Sequence, residues 1–302
     1  MPLADGAQGS NPQQVAFRGQ GSPSAGGTLS FMSTIRELRR SFLALHVPGE
    51  PLLIPNPWDI GSAKLLESLG FLALATTSSG HAATLGLEDG EVSKAQVLAH
   101  ASALADAVGV PVSADLENGF GASPDEVSQV IGEAATTGLA GGSVEDFTGH
   151  QDAPIYPMAF AVERVKSAAE AAHAEDDGFV LTARAENMIR GVDDLDDTIT
   201  RLVAYQEAGA DVLYAPGLTS IEDVRRVVAA VDRPVNVLAR PGLGSIRALA
   251  DAGVARVSVG GAFTHAAYAA LARAALELRD EGSFGFIADA AEGRTRLAAA
   301  FK

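Results

Sequence analysis

The chain has 302 residues, of which 47% are apolar, with a formal charge of −16 and no cysteine. That acidic balance argues against a nucleic-acid partner, and the absence of Cys excludes disulfides, thiolate metal sites and Cys nucleophiles. No apolar run reaches the roughly 20 residues needed to cross a bilayer, so the chain reads as soluble and cytoplasmic, with no membrane partner.

Residues 1–30 are rich in Gly, Ser, Pro and Gln and read as a disordered N-terminal extension, with Met32 a candidate natural start. Residues 31–302 read as one catalytic barrel domain that includes an N-terminal helix. That helix, at 32–46 (MSTIRELRRSFLALH), is amphipathic and basic in an otherwise acidic protein. It can cap the bottom of a barrel or pack on a neighbouring subunit, and sequence leaves both open.

From residue 50 the chain alternates short apolar runs with longer helical periodicities. Strands are expected at 52–55, 72–76, 111–115, 141–145, 179–184, 211–215, 234–238 and 256–259. Helices are expected between them, among others at 93–108, 125–137, 160–174 and 195–208. Ser123-Pro124-Asp125-Glu126 is a helix start, and Gly209 and Gly253 stand at helix ends. Eight strands apolar on both faces imply a parallel sheet covered by helices. Strand after strand ends in a polar group: Asn56, Ser78–Ser79, Asp115, Glu145, Arg184, Asn236. Their convergence on one face favours a parallel (β/α)₈ TIM-type barrel over an open sheet.

The strongest local feature is VSADLENGFG at 112–121. Asp115 and Glu117 are alternate residues and can share a face, and two adjacent carboxylates invite a hard divalent cation. Glu145, in GGSVEDF, closes the next strand and would neighbour Asp115. Acids with water in the remaining positions suit Mg²⁺ or Mn²⁺, whereas zinc lacks a His or Cys cluster here. Arg184 in VLTARAEN can grip a substrate carboxylate or carbonyl oxygen, or pair structurally with Glu145 or Glu186. The loop TTSSGHAATLGLEDG at 76–90 offers Ser78, Ser79 and Gly80 as a carboxylate nest. Asp89 either reaches over the site or forms an Asp-Gly turn. His81 and His150 fall in active-face loops where proton transfer is one reading and a structural role the other. Asn236 and Arg240 are further candidates for substrate contact.

NPWDIGSAKLLESLGF, TTSSGHAATLGLEDG, PVSADLENGFG, SVED and LTARAEN, in this order and spacing, resemble the isocitrate lyase/phosphoenolpyruvate mutase superfamily over roughly residues 50–265. The resemblance implies a (β/α)₈ barrel, often with its last helix swapped within a homodimer or homotetramer, and Mg²⁺ with a pyruvate-like enolate. It implies that Asp115 is the main metal ligand, with Glu117 and Glu145 acting largely through water on the cation. It further implies that Ser79 and Gly80 hold the substrate carboxylate, that Arg184 holds its oxygens, and that Asp89 is a further active-site acid.

Two departures bear on the reaction. The lyase branches resemble a Lys-Lys/Arg-Cys-Gly-His loop after the fourth strand, whereas this chain has EDFTGHQDAPIYP, with Gly149-His150 but neither Lys nor Cys. The mutase branch resembles EDK with a distal Asn, and here Phe147 stands in place of that Lys. The expectation is a Mg²⁺-dependent lyase cleaving a C–C bond of a small 2-oxo or 2-hydroxy carboxylate. The alternatives are C–P chemistry on phosphoenolpyruvate or phosphonopyruvate and a non-catalytic carboxylate-binding barrel.

Overall fold

The structure is a computed structural model that describes residues 34–174 and 178–302. The expectation of disorder at 1–30 lies outside the described residues. Eight strands alternate with helices: β1 (Leu52–Ile54), β2 (Leu74–Ala75), β3 (Val112–Asp115), β4 (Gly141–Glu145), β5 (Val180–Arg184), β6 (Val212–Tyr214), β7 (Val235–Leu238) and β8 (Arg256–Ser258). Each observed strand lies within its expected run.

All pairings are parallel, in the order β1-β8-β7-β6-β5-β4-β3-β2. The ring closes between β1 and β2 by a main-chain hydrogen bond, Ala75 N to Pro55 O at 3.1 Å. Asn56 reinforces that seam. Its Nδ2 donates to Ala75 O (3.1 Å) and Thr76 O (2.9 Å), while its Oδ1 accepts from Val259 N and Gly260 N beyond β8. One amide side chain thus ties three strand ends of the (β/α)₈ barrel.

The helices are α1 (Ile35–Ala44), α2 (Ile60–Ser68), α3 (Ser78–Leu85), α4 (Lys94–Ala107), α5 (Pro124–Ala135), α6 (Met158–Ala172), α7 (Leu195–Glu207), α8 (Ile221–Ala230), α9 (Ile246–Asp251), α10 (Ala262–Leu276) and α11 (Ile287–Ala300). Local chemistry sets many of their starts. Thr34 with Glu37, Ser93 with Gln96, and Ser123 with Glu126 form reciprocal capping boxes, and Pro124 sits in the first turn of α5 where its missing N–H costs nothing. The apolar core lies between the outside of the barrel and these helices, with Leu116, Ile131 and Leu181 in one part and Leu202, Leu213 and Val237 in another.

The basic N-terminal helix caps the bottom of the barrel. Phe42 of α1 is buried with Leu52, Ala140, Val180 and Val212, residues at or just before strand starts. Arg39 carries a charge into this seam yet donates to Leu139 O (3.0 Å) and to Ala135 O (2.7 Å) at the last turn of α5, where free carbonyls favour a cation. At the other end of the chain, α11 lies against α2 of the same molecule. No helix among the described residues is long and apolar enough to cross a membrane.

Candidate active site

The last residues of β3, β4 and β5 are Asp115, Glu145 and Arg184, which meet at the C-terminal rim; register pairs Glu145 with Arg184, while Asp115 pairs with Ser143, two residues lower on β4. Arg184 holds the cluster together. Its Nη1 donates to Asp115 Oδ1 (3.0 Å), its Nη2 lies 3.0 Å from Glu145 Oε2 and 2.8 Å from Glu186 Oε1, and its Nε donates to Glu186 Oε1 (3.0 Å). Arg190 adds a second cation, 3.2 Å from Glu145 Oε1 and 3.1 Å from Glu186 Oε2, with Phe147 under its guanidinium at 3.6 Å. Burial by itself would weaken the Arg184 charge, but Glu145, Glu186 and Asp115 raise it well above its ordinary value.

Glu117 is the member without a cation at contact distance. Its Oε1 is buried and has no hydrogen-bond partner, and its backbone is held at a φ of 49°, unusual for a residue with a side chain. Burial, then Asp115, then Asp89 push its carboxyl up to about 7. Burial also raises Glu145, with Arg184 and Arg190 pulling the other way. Four carboxylates (Asp115, Glu117, Glu145, Glu186) face two guanidiniums, leaving two formal negative charges when all are ionised. One divalent cation would neutralise that excess.

Whether this donor set fits Mg²⁺ or Mn²⁺ is decided by its chemistry. Hard carboxylate oxygens, one of them orphaned in the interior, suit a small hard cation that keeps several waters. Among the described residues no three His, Asp or Glu side chains converge into a ready-made cage, because Arg184 is inserted between Asp115 and Glu145. Asp115, Glu117 and Glu145 therefore fit such an ion as a loose shell around water rather than as an all-protein cage.

The cluster opens into a cavity of about 180 Å³ that runs from Ser78, Ser79 and Asp89 at the mouth past Asp115 and Arg184 to Asn236 and Arg256 inside the barrel. A side chamber of about 60 Å³ is lined by Asp89, Glu117, Glu145 and Arg190. Asp89 thus faces the site and is brought to Glu117. Tyr214, on the next strand, lies 5.2 Å from Arg184, and burial pushes its phenol up to about 12.

Other expected residues fall differently. The 76–90 segment is expected as a loop, but residues 78–85 form α3, with Thr77 Oγ1 accepting from Gly80 N (3.3 Å). The nest is therefore a helix start, and Ser78 N already donates to Asp115 Oδ2 at 3.2 Å. Gly80 does not line the cavity. It packs where a Cβ would stand 2.5 Å from Thr264 Oγ1 of α10. His150 is exposed on the loop after β4 and lines neither chamber, as is Arg240 after β7. His81 turns away from the cavity and stacks on His100 of α4 at 3.7 Å. Asn236 lines the cavity but is engaged at both ends, accepting from Arg256 Nε (3.0 Å) and donating to Ser258 Oγ (3.1 Å). Asp146, beside Glu145, points the other way to Arg201 (3.1 Å) and the Tyr205 hydroxyl (2.6 Å).

Arg190, Tyr214 and Arg256 have no role in the sequence expectation of the site, and Glu186 enters it only as a structural partner of Arg184, a pairing that the structure contains. For Glu186 a signal exists, since it is two residues from Arg184 and shares its face. The others are brought in by neighbouring strands and a loop, which spacing does not encode.

Comparison with known proteins agrees with this geometry. The family model described as phosphoenolpyruvate phosphomutase matches residues 42–279. A Burkholderia cenocepacia J2315 structure provisionally designated a lyase/mutase is 51% identical, with a TM-score of 0.81 over 83% of this chain and 91% of that one. The 2-methylisocitrate lyase of Escherichia coli K12 is 29% identical over 64% of this chain and 70% of its own length. The oxaloacetate decarboxylase of Chromohalobacter salexigens is 28% identical over 81% of this chain and 85% of its own. The chain belongs to the phosphoenolpyruvate phosphomutase family, within the isocitrate lyase/phosphoenolpyruvate mutase superfamily.

Proposed function

We propose that the protein is a Mg²⁺-dependent lyase that cleaves a C–C bond of a small 2-oxo or 2-hydroxy carboxylate, leaving a pyruvate-like enolate. The observation that carries this is the excess of buried carboxylate around Arg184, with Glu117 Oε1 lacking any partner, at the mouth of a cavity fit for a small acid. When bound, the cation supplies a Lewis acid that polarises the substrate carbonyl and stabilises negative charge developing on its oxygen.

The protein's own groups do the rest. Arg184 has five N–H donors, and its contacts with Asp115, Glu145 and Glu186 leave one Nη1 hydrogen for an incoming oxygen. As the scissile bond breaks, its electron pair stays on the carbon next to the carbonyl, and this guanidinium helps hold the resulting charge. The chain has no Cys to serve as an acid/base, so reactions needing little more than charge stabilisation are favoured. Oxaloacetate-type decarboxylation needs no base for the cleavage, and retro-aldol cleavage would use Asp89, at the mouth, to take the hydroxyl proton. The likeness to an oxaloacetate decarboxylase over most of both chains supports this reading.

The test is a panel of 2-oxo and 2-hydroxy acids with Mg²⁺, read by release of pyruvate or glyoxylate. Turnover that is lost with chelator and in Asp115→Ala supports the reading, and full turnover in Asp115→Ala sinks it. The family match favours a second reading, C–P chemistry. A new phosphorus resonance after incubation with phosphonopyruvate or phosphoenolpyruvate would select it. We further propose a homodimer or homotetramer, supported by Phe263, Tyr268, Leu271 and Leu276 exposed along α10. Light scattering during size exclusion tests it.

A further inference from the structure

A barrel interior is ordinarily filled by branched apolar side chains. Here a guanidinium occupies it. Arg256 is 5% exposed and donates to three neutral acceptors: Asn236 Oδ1 (3.0 Å), Thr182 Oγ1 (3.1 Å) and His46 Nε2 (3.2 Å). The bond to Thr182 crosses from β8 to β5, so the group sits inside the ring. His46 Nδ1 lies 2.8 Å from Phe42 O, which fixes the proton on Nδ1 and leaves Nε2 as the acceptor. Burial holds His46 down at about 3, so it stays neutral.

No carboxylate among the described residues neutralises Arg256. Burial lowers it to about 10, with Tyr214 opposing and Arg184 adding to the effect, so it remains charged at neutral pH. A buried charge without a counterion is costly, and this one lines a cavity, with three of its five N–H donors directed at Asn236, His46 and Thr182 and two left over. The hydroxyl-bearing Ser113, Ser143 and Ser258 line the same cavity. Its volume of about 180 Å³ far exceeds the roughly 15 Å³ a single buried water needs.

We propose that Arg256 recognises a carboxylate that reaches the floor of the cavity, and that it is a specificity-determining residue selecting substrates with a second carboxylate. This rests on reading the cavity as a carboxylate lyase site. The reacting end of such a substrate lies at the acidic cluster and the other end inside the barrel, so Arg256 touches the acid without touching the bond that breaks.

Calorimetry with Mg²⁺ present and no turnover tests this by comparing succinate with butyrate, which keeps the carbon chain and loses one carboxylate. Wild-type protein is expected to bind succinate about tenfold to a hundredfold more tightly, the scale of charge-assisted hydrogen bonds. Arg256→Met should bring the two ligands within about twofold and leave oxalate binding at the mouth unchanged, whereas Arg256→Lys should retain part of the preference. An unchanged preference in Arg256→Met, or none in wild type, overturns the proposal. Should Arg256→Met fail to fold, a crystal structure of the wild-type protein with succinate decides. A carboxylate hydrogen-bonded to Arg256 supports the proposal, and both carboxylates at the mouth overturn it. Succinate preference without release of pyruvate or glyoxylate from any acid would fault the assigned reaction and leave the site standing.

Discussion

Arg184, the last residue of β5, reaches across β4 to place its Nη1 3.0 Å from Oδ1 of Asp115, the last residue of β3. The contact links the two chemical halves of the site, the carboxylates that suit a cation and the guanidinium that suits an anion. It also makes each the counterion of the other. The metal-free cluster is therefore a folded ion-pair network, and its parts should respond together to substitution, pH and cation.

Arg184→Met is expected to leave Asp115, Glu145 and Glu186 buried without their shared partner. Removing one side of a buried pair costs about 3–5 kcal/mol, so the urea midpoint should fall by that equivalent without Mg²⁺. Saturating Mg²⁺ should recover part of the loss, because the cation replaces the missing charge. A midpoint within error of wild type would show the network to be energetically idle.

Cation affinity should rise with pH through neutrality. Glu117 titrates at about 7 in the fold against an ordinary 4.5, so below 7 a bound cation must displace its proton. The expected slope approaches tenfold in affinity per pH unit below 7 and flattens above it. Glu117→Gln should bind more weakly and lose the slope. The same shift means that metal-free protein loses stability as pH rises from 4.5 to 7, because the unfolded chain has already released the proton that the fold retains.

Acid should destabilise the fold at the base of the barrel, through His46, and between α3 and α4, through His100. His46 falls from 6.5 to about 3 on folding and His100 to about 4, both first through burial. Their folded values are lowered, so the unfolded chain binds more protons below 6.5 and stability declines as pH falls from there. His46 alone would contribute on the order of 3 kcal/mol by pH 4. Denaturant melts between pH 7 and 4 would check this, with His46→Gln expected to show a shallower decline.

Gly80→Ala should separate packing from chemistry. A Cβ there would meet Thr264 Oγ1 at 2.5 Å and Thr77 Cγ2 at 2.6 Å, forcing α3 away from α10. Overpacking of this kind costs about 1–3 kcal/mol. Because Ser78 and Ser79 begin the same helix, KM for any working acid should rise along with the loss of thermal stability. A stable variant with unchanged KM would place α3 outside substrate binding.

The sequence by itself determined the eight strands, several of the helix starts, and the placing of Asp115, Glu145 and Arg184 at strand ends. Those features follow from periodicities of two and 3.6 and from capping chemistry, which act over a few residues. It did not reveal that residues 78–85 are helical, since that segment is held by the Thr77 cap and by Gly80 packing on Thr264, far along the chain. Nor did it show that Arg184 would sit between the carboxylates expected to hold a metal, or that Arg256, Asn236, Thr182 and His46 would meet inside the ring. Those neighbours come from four separate elements and touch only because the barrel closes and α1 seals its base. The run of polar strand ends pointed to closure, but which side chains closure brings into contact inside the ring is a long-range property of the whole sheet, which no local pattern of residues carries.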